Sequence, residues 1–280
     1  MFDAGEFVKN AVEEIKSKVK GKAVIAVSGG VDSTVAAKLG SMALGENLYA
    51  VYVDTGLMRA GESDYVRGLY ERMDLNFIFV DAKNEFLEAL KGVVDPEEKR
   101  RIIGEKFIRI FERVAKEKKA EHLIQGTIAP DWIESGGGLR DTIKSHHNVA
   151  GLPKWLNLKV IEPLKYLYKD EVRALALSLG VPWEIAYRHP FPGPGLAVRI
   201  IGEITEEKLE IARKAAKIVE EELRKAGLYY KVWQAFTVVG DDKWVGVKGD
   251  RRAVGYIVIV RIVESEDGMT ADWSLSLIHI

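Results

Sequence analysis

The chain has no cysteine among its 280 residues. That excludes a disulfide framework, a thiolate metal site and a cysteine nucleophile. No apolar run approaches the roughly 20 residues needed to cross a bilayer, and the longest β-rich run is only Tyr256-Ile-Val-Ile-Val260. A signal-peptide core is missing as well. In its place Phe7, Val8, Ala11, Val12, Ile15 and Val19 recur at helical spacing among lysines and glutamates. An excess of charge of either sign is also absent, with 41 basic against 42 acidic residues and a net charge of -1. This argues against a dedicated nucleic-acid binder and against a polybasic membrane protein. There are only five histidines, and none has metal-pair spacing; His146 and His147 are adjacent, so one strand or helix cannot turn both to one ion. The expectation is a cytoplasmic protein with no membrane or nucleic-acid partner, long enough for one large domain and a smaller one.

What is present alternates. Lys22–Val27, Leu48–Val53, Asn76–Val80 and His122–Gln125 are short apolar runs separated by helical patterns. Strands without polar alternation, joined by helices, predict an α/β fold with a doubly wound parallel sheet covered on both faces. Pro96 to Lys118 reads as one helix with proline in its first turn, and Asp170 to Leu179 as another, stopped by Gly180 and Pro182. The pattern changes at Arg188-His-Pro-Phe-Pro-Gly-Pro-Gly-Leu196, which holds three of the eight prolines and cannot be regular helix or strand interior. A helix from Glu206 to Lys225 and β-like runs at Val232–Val239 and Ala253–Val263 follow. The predicted domains are residues 1–187 and a small α+β domain, 188–280.

The segment richest in chemistry is Ser28-Gly29-Gly30-Val31-Asp32-Ser33, followed by Thr34, between the first strand and the first helix. Glycines bring backbone N–H groups close to a ligand, and a helix N-terminus adds partial positive charge. The serine hydroxyls add donors, and Asp32 offers a carboxylate to a magnesium ion. Neither the lysine-bearing phosphate loop nor the dinucleotide fingerprint occurs. Further motifs are Val53-Asp54-Thr-Gly56-Leu-Met-Arg59, Asp95-Pro-Glu-Glu-Lys99-Arg100, Gln125-Gly-Thr-Ile-Ala-Pro-Asp131, Ile143-Lys144-Ser-His146-His147-Asn148, and the proline-rich stretch from Arg188. Without a family match, Lys99 and Arg100 would read as solvated helix charges, and Asp131 and Glu134 as helix-capping residues as readily as magnesium partners.

The Ser28–Ser33 segment resembles the pyrophosphate loop of ATP pyrophosphatases, with their adenine nucleotide alpha hydrolase-like fold. With the other motifs it resembles the ATP-pyrophosphatase portion of GMP synthetases, from about Lys22 to Trp273. The resemblance implies a carbon–nitrogen ligase of purine biosynthesis. ATP adenylates the O2 of xanthosine monophosphate (XMP), pyrophosphate leaves, and ammonia displaces AMP to give GMP. It implies ATP binding at Ser28, Gly29, Gly30, Val31, Asp32, Ser33, Thr34, Val53, Asp54 and Gly56, with Asp32 holding Mg2+ and Asp32 and Lys144 catalytic. XMP candidates are Lys99, Arg100, His146, His147, Asn148, Arg188 and Arg252. Arg252 reads equally as the end of a turn. The missing cysteine implies a glutamine amidotransferase subunit acting in trans, and the C-terminal domain a homodimer. After Trp273, family members continue to a Lys-Pro-Pro-x-Thr-Ile-Glu-Trp-Glu motif, whereas this chain reads Ser274-Leu-Ser-Leu-Ile-His-Ile280; an altered or truncated C-terminus is the expectation. The alternatives are another adenylating ligase with the same loop, such as an NAD synthetase or a tRNA-thiolating enzyme, and a nucleotide-binding regulatory subunit.

Overall fold

The computed structural model describes residues 2–73, 75–134, 158–265 and 272–274. Lys144, His146, His147, Asn148 and the tail from Leu275 lie outside these residues. The chain separates into two compact units that interleave along the sequence: 1–54, 63–81 and 106–188 form the first, and 55–62, 82–105 and 189–280 the second.

The first unit is built on five parallel strands, β1 (Ala23–Ala26), β2 (Leu48–Asp54), β3 (Phe77–Asp81), β4 (His122–Ile124) and β5 (Lys159–Ile161), in the order β3-β2-β1-β4-β5. Four of them are the apolar runs read from the sequence; β5 gave no comparable signal. Helix α1 (Ala4–Lys18) starts where the Asp3 carboxylate accepts the Glu6 N–H at 3.0 Å. It buries Ala11 and Ile15 in one core with α2 (Val31–Leu44) and α7 (Lys169–Ser178). That core joins Ile25, Val35, Leu39, Tyr52, Tyr70 and Leu175, all buried. With strands this apolar, covering both faces of the sheet is what removes them from water. Helix α3 (Glu62–Arg72) follows β2, and the helix read over Pro96–Lys118 is α5. Strand order reverses at β1: β2 lies on one side and β4 on the other. Ligands of open α/β sheets bind beyond the strand ends at such a reversal.

The second unit contains α4 (Lys83–Ala89), the start of α5, a 3-10 turn at Gly195–Arg199 and α9 (Glu206–Lys225). The short helices α6 (Ala129–Glu134) and α8 (Trp183–Ala186) belong to the first unit. An antiparallel ribbon follows α9, formed by β6 (Gln234–Lys248) and β7 (Arg251–Glu264), with β8 (Asp272–Trp273) at its edge. Gly249, at φ +61°, turns the ribbon between Lys248 and Arg251. The proline-rich stretch lies outside helix and strand until Gly195, whose φ is +64°. A Cβ there would stand 2.4 Å from the Leu57 carbonyl oxygen, so only glycine fits. No helix among the described residues is long and apolar enough to cross a membrane.

Candidate phosphate-binding site

The loop after β1 folds back on itself through its own hydroxyls. The Ser28 N–H donates to Ser33 Oγ at 3.2 Å, and Ser33 Oγ donates to the Gly30 carbonyl at 3.1 Å. Gly29 takes φ +79°, a left-handed conformation that permits the reversal. Thr34 is buried; its hydroxyl donates to the Gly30 carbonyl at 2.8 Å and lies 2.8 Å from the Tyr70 hydroxyl. Burial pushes the Tyr70 phenol up to about 12, although its hydroxyl neighbours oppose the shift. The N-cap of α2 is Gly30, which has no capping side chain. No side chain therefore caps the amides of the first turn, at the end of a helix where the dipole favours an anion.

Asp32 stands in that turn and pairs with Lys169: Nζ lies 2.6 and 2.8 Å from the two carboxylate oxygens. Both are part-exposed. Lys169 is the first residue of α7, 137 positions downstream, and sequence reasoning missed it. A usable signal existed, because a lysine in a first turn opposes the helix dipole, which favours acids there. Gly126, beyond β4, was missed as well. A Cβ on it would lie 3.0 Å from the Asp32 carbonyl carbon and oxygen and 3.1 Å from the Ser33 nitrogen. The ends of β1 and β4 thus meet at the reversal point, with loop backbone against glycine.

Val53 and Asp54 close β2; both are buried, Asp54 at 1% exposure, and Asp54 pairs in register with Asp81. Gly56 lies in the second unit at φ +72°, its carbonyl accepting from Arg213 Nη2 at 2.5 Å. Arg188 is half-buried, over the Tyr65 ring at 5.5 Å. Arg252 is an exposed strand residue opposite Val247 on the ribbon. Arg100 is half-buried and paired with Glu97.

Lys99 needs a correction. It is 1% exposed, and its ammonium donates to the carbonyls of Ile200 at 2.8 Å and Gly202 at 2.5 Å. A charge so buried must be bonded, and these carbonyls supply the partners, so Lys99 is an anchor of the 197–203 segment and not a solvent-facing phosphate ligand. Lys208, also buried, holds the Ile201 and Glu203 carbonyls at 3.2 Å each and pairs with Asp241. Asp131 accepts the Ile128 N–H at 3.4 Å, as a helix-start cap would.

Among the described residues no three His, Asp or Glu side chains group to hold a metal. Asp32 alone suits a magnesium that arrives on nucleotide phosphates, which needs only one or two protein carboxylates.

Comparison with known proteins places these features. Residues 3–127 match the NAD synthase family model and residues 221–278 that of the GMP synthase C terminal domain. A GMP synthase [glutamine-hydrolyzing] subunit of Methanothermobacter thermautotrophicus is 58% identical, over 97% of this chain and 86% of its own length. The corresponding subunit of Archaeoglobus fulgidus is 60% identical, over 96% and 86%. GMP synthase [glutamine-hydrolyzing] of Pyrobaculum aerophilum is 60% identical over 95% of this chain, which spans about half (54%) of that protein. Among solved structures, NMN synthetase from Francisella tularensis shares the fold at TM-score 0.55 and 16% identity, over 82% of this chain and 94% of that one. The NH3-dependent NAD synthetase from Campylobacter jejuni gives 0.51 and 16%, over 81% and 88%.

Proposed function

Because the chain belongs to the GMP synthase family, alongside relatives that are themselves named as one subunit of that enzyme, we propose that it is the synthetase half. It transfers the adenylyl group of ATP to the O2 of XMP, releases pyrophosphate, and lets ammonia displace AMP to give GMP. The observation that carries this reading is the uncapped α2 N-terminus in the Ser28–Thr34 loop, with Asp32 and the Lys169 ammonium beside it.

The residues contribute by position and charge. When XMP O2 bonds to the α-phosphorus, the bond to the bridging oxygen breaks and negative charge grows on the departing pyrophosphate. The amides of Val31, Asp32 and Ser33, the hydroxyls of Ser28 and Ser33, and the Lys169 ammonium are the donors for that charge. Asp32 orients Lys169 and would hold a magnesium bound to the phosphates; that ion would supply further charge neutralisation. Lys144 is a second cation in the same role. Val53, Asp54 and Gly56 contribute to the adenosine side. Arg100, with a planar guanidinium suited to bidentate contact, together with His146, His147, Asn148, Arg188 and Arg252, are the XMP candidates.

On this reading residues 1–187 carry the ATP chemistry and 188–280 the dimer contacts. The ribbon supports self-association: Trp244, Val245, Val247, Val254 and Ile259 are all at least half exposed on β6 and β7. A separate glutamine amidotransferase subunit supplies ammonia, since this chain has no cysteine nucleophile, and the pair works in the cytoplasm. The test is pyrophosphate release from ATP with purified chain, XMP and an ammonium salt. Release that requires XMP and yields GMP and AMP supports the proposal. Release only with another acceptor, or ATP binding without turnover, refutes it.

A further inference from the structure

The second unit contains a cleft of about 320 Å³, part of it open to solvent, for which the proposed reaction has no use. Its walls carry Arg59, from the stretch after β2, and Arg199, at the end of the 3-10 turn. Arg199 is only 6% exposed. Among the described residues its guanidinium has no hydrogen-bond or carboxylate partner; it lies against aromatic rings, Phe191 at 5.0 Å and Phe236 at 4.8 Å. Arg59 lies 4.5 Å from that same Phe191 ring, so the ring brings two guanidinium groups together.

The remaining wall brings little negative charge. Glu220 is the cleft's one carboxylate, and it accepts from Arg224 Nη2 at 2.8 Å and Nε at 3.2 Å. His189 is 2.6 Å from the Tyr229 carbonyl through Nε2 and stacks on the Tyr229 ring at 4.0 Å. Burial, and then the charge of Arg59, pulls His189 below the ordinary imidazole value, which keeps it neutral. Burial first, and Arg59 second, also pulls Arg199 down to about 10, so it remains a cation at neutral pH. A buried cation without a counter-charge, as Arg199 is, is costly, and a second guanidinium on the same ring makes the cleft suit a dianion.

We propose that this cleft binds a small oxyanion of the phosphate class between the guanidinium groups of Arg59 and Arg199. Guanidinium groups match phosphate oxygens in bidentate geometry. A space at the lower end of the 300–1,000 Å³ typical of ligand pockets suits such an anion better than a whole nucleotide. The site is independent of the Ser28–Thr34 loop and does not rest on the proposed reaction. The anion is either free inorganic phosphate or the terminal phosphate of a nucleotide.

Thermal unfolding of the whole chain and the 31P line width of inorganic phosphate, each against chloride at equal ionic strength, test the site. Because the loop also attracts anions, the measurements are repeated in Ser28→Ala/Ser33→Ala. The expected result is a phosphate-specific rise in transition temperature that survives the loop substitutions. Arg199→Met and, separately, the half-buried Arg59→Gln should each weaken phosphate binding about tenfold or more. In chloride, Arg199→Met should unfold at or above the wild-type temperature, because an uncompensated charge is gone. Competition by XMP or AMP that is lost in Arg199→Met assigns the anion to a nucleotide phosphate, and no competition assigns it to free phosphate. A response that disappears with the loop substitutions, or that is unchanged in both arginine variants, overturns the proposal.

Discussion

Replacing Lys99 with methionine separates an anchor from a substrate ligand. Methionine keeps most of the apolar stem and opens no large cavity, so the loss is confined to the ammonium. Two carbonyls then lose a charged donor: Ile200, at 2.8 Å and buried, and Gly202, at 2.5 Å. A third contact, to Ala197 at 3.5 Å, is too long to matter. Each carbonyl left without a partner costs about 1–3 kcal/mol, and removing a buried cation recovers part of that, leaving a net loss of about 2–4 kcal/mol. In a chain of this size that lowers the transition by roughly 5–12 °C, measurable by calorimetry and urea unfolding. The pH dependence gives a second readout. Burial, and next the charge of Lys208, holds the Lys99 ammonium below the ordinary lysine value. Between the two values the unfolded chain binds more protons than the folded one, so stability rises with pH there; Lys99→Met should flatten that rise. A variant within about 0.5 kcal/mol of wild type, with only its KM for XMP raised, would refute the anchoring argument.

Three further outcomes are expected. Tyr70 stays protonated in the fold to about pH 12, while the unfolded phenol ionises near pH 10. Its contribution, on the order of 2–3 kcal/mol, is fully present below pH 10 and lost as pH rises to 12, so Tyr70→Phe should remove that alkaline decline in unfolding experiments. Gly126→Ala drives a Cβ into the Asp32–Ser33 backbone and should lower kcat/KM for ATP about tenfold through loop displacement; an unchanged value contradicts the close approach. Lys169→Met should slow XMP-dependent pyrophosphate release on the order of 10²–10³-fold. Because the Asp32–Lys169 pair is part-exposed, it should shift stability by less than about 1 kcal/mol.

The parallel sheet was legible because its strands are short apolar runs with nothing polar to alternate, and four of the five announced themselves that way. Lys159–Ile161 did not: three residues with two exposed carry too little pattern. The helices at Pro96–Lys118 and Glu206–Lys225 begin and end where proline, threonine and the lysines mark them. The loop was read whole, since its chemistry lies in adjacent residues. Its partners were not, because Lys169 and Gly126 reach it only through the return of later strands to the reversal point. Lys99 shows the opposite failure. Its neighbours Glu97, Glu98 and Arg100 look like a solvated face, and only folding reveals that the 197–203 carbonyls enclose it. Tertiary hydrogen bonds join positions about a hundred residues apart, and no local pattern encodes such a pairing.

The interleaving of the two units bears on how the protein is made. The path passes from one unit to the other five times, and the second unit's early pieces, 55–62 and 82–105, leave the ribosome long before its ribbon. At 5–20 residues per second, about 160 residues between Glu105 and the end of β7 take roughly 8–30 s to synthesise. Through that interval Lys99 has none of its carbonyl partners, and the helix start that bears it waits in water. A charged residue at that position keeps the waiting segment soluble and becomes an anchor once residues 197–203 arrive. The same interleaving predicts that a cut near residue 188 will not release two independently folding fragments, since the piece from 189 onward would lack Leu57, whose carbonyl accepts the Leu196 N–H at 2.7 Å, as well as Lys99.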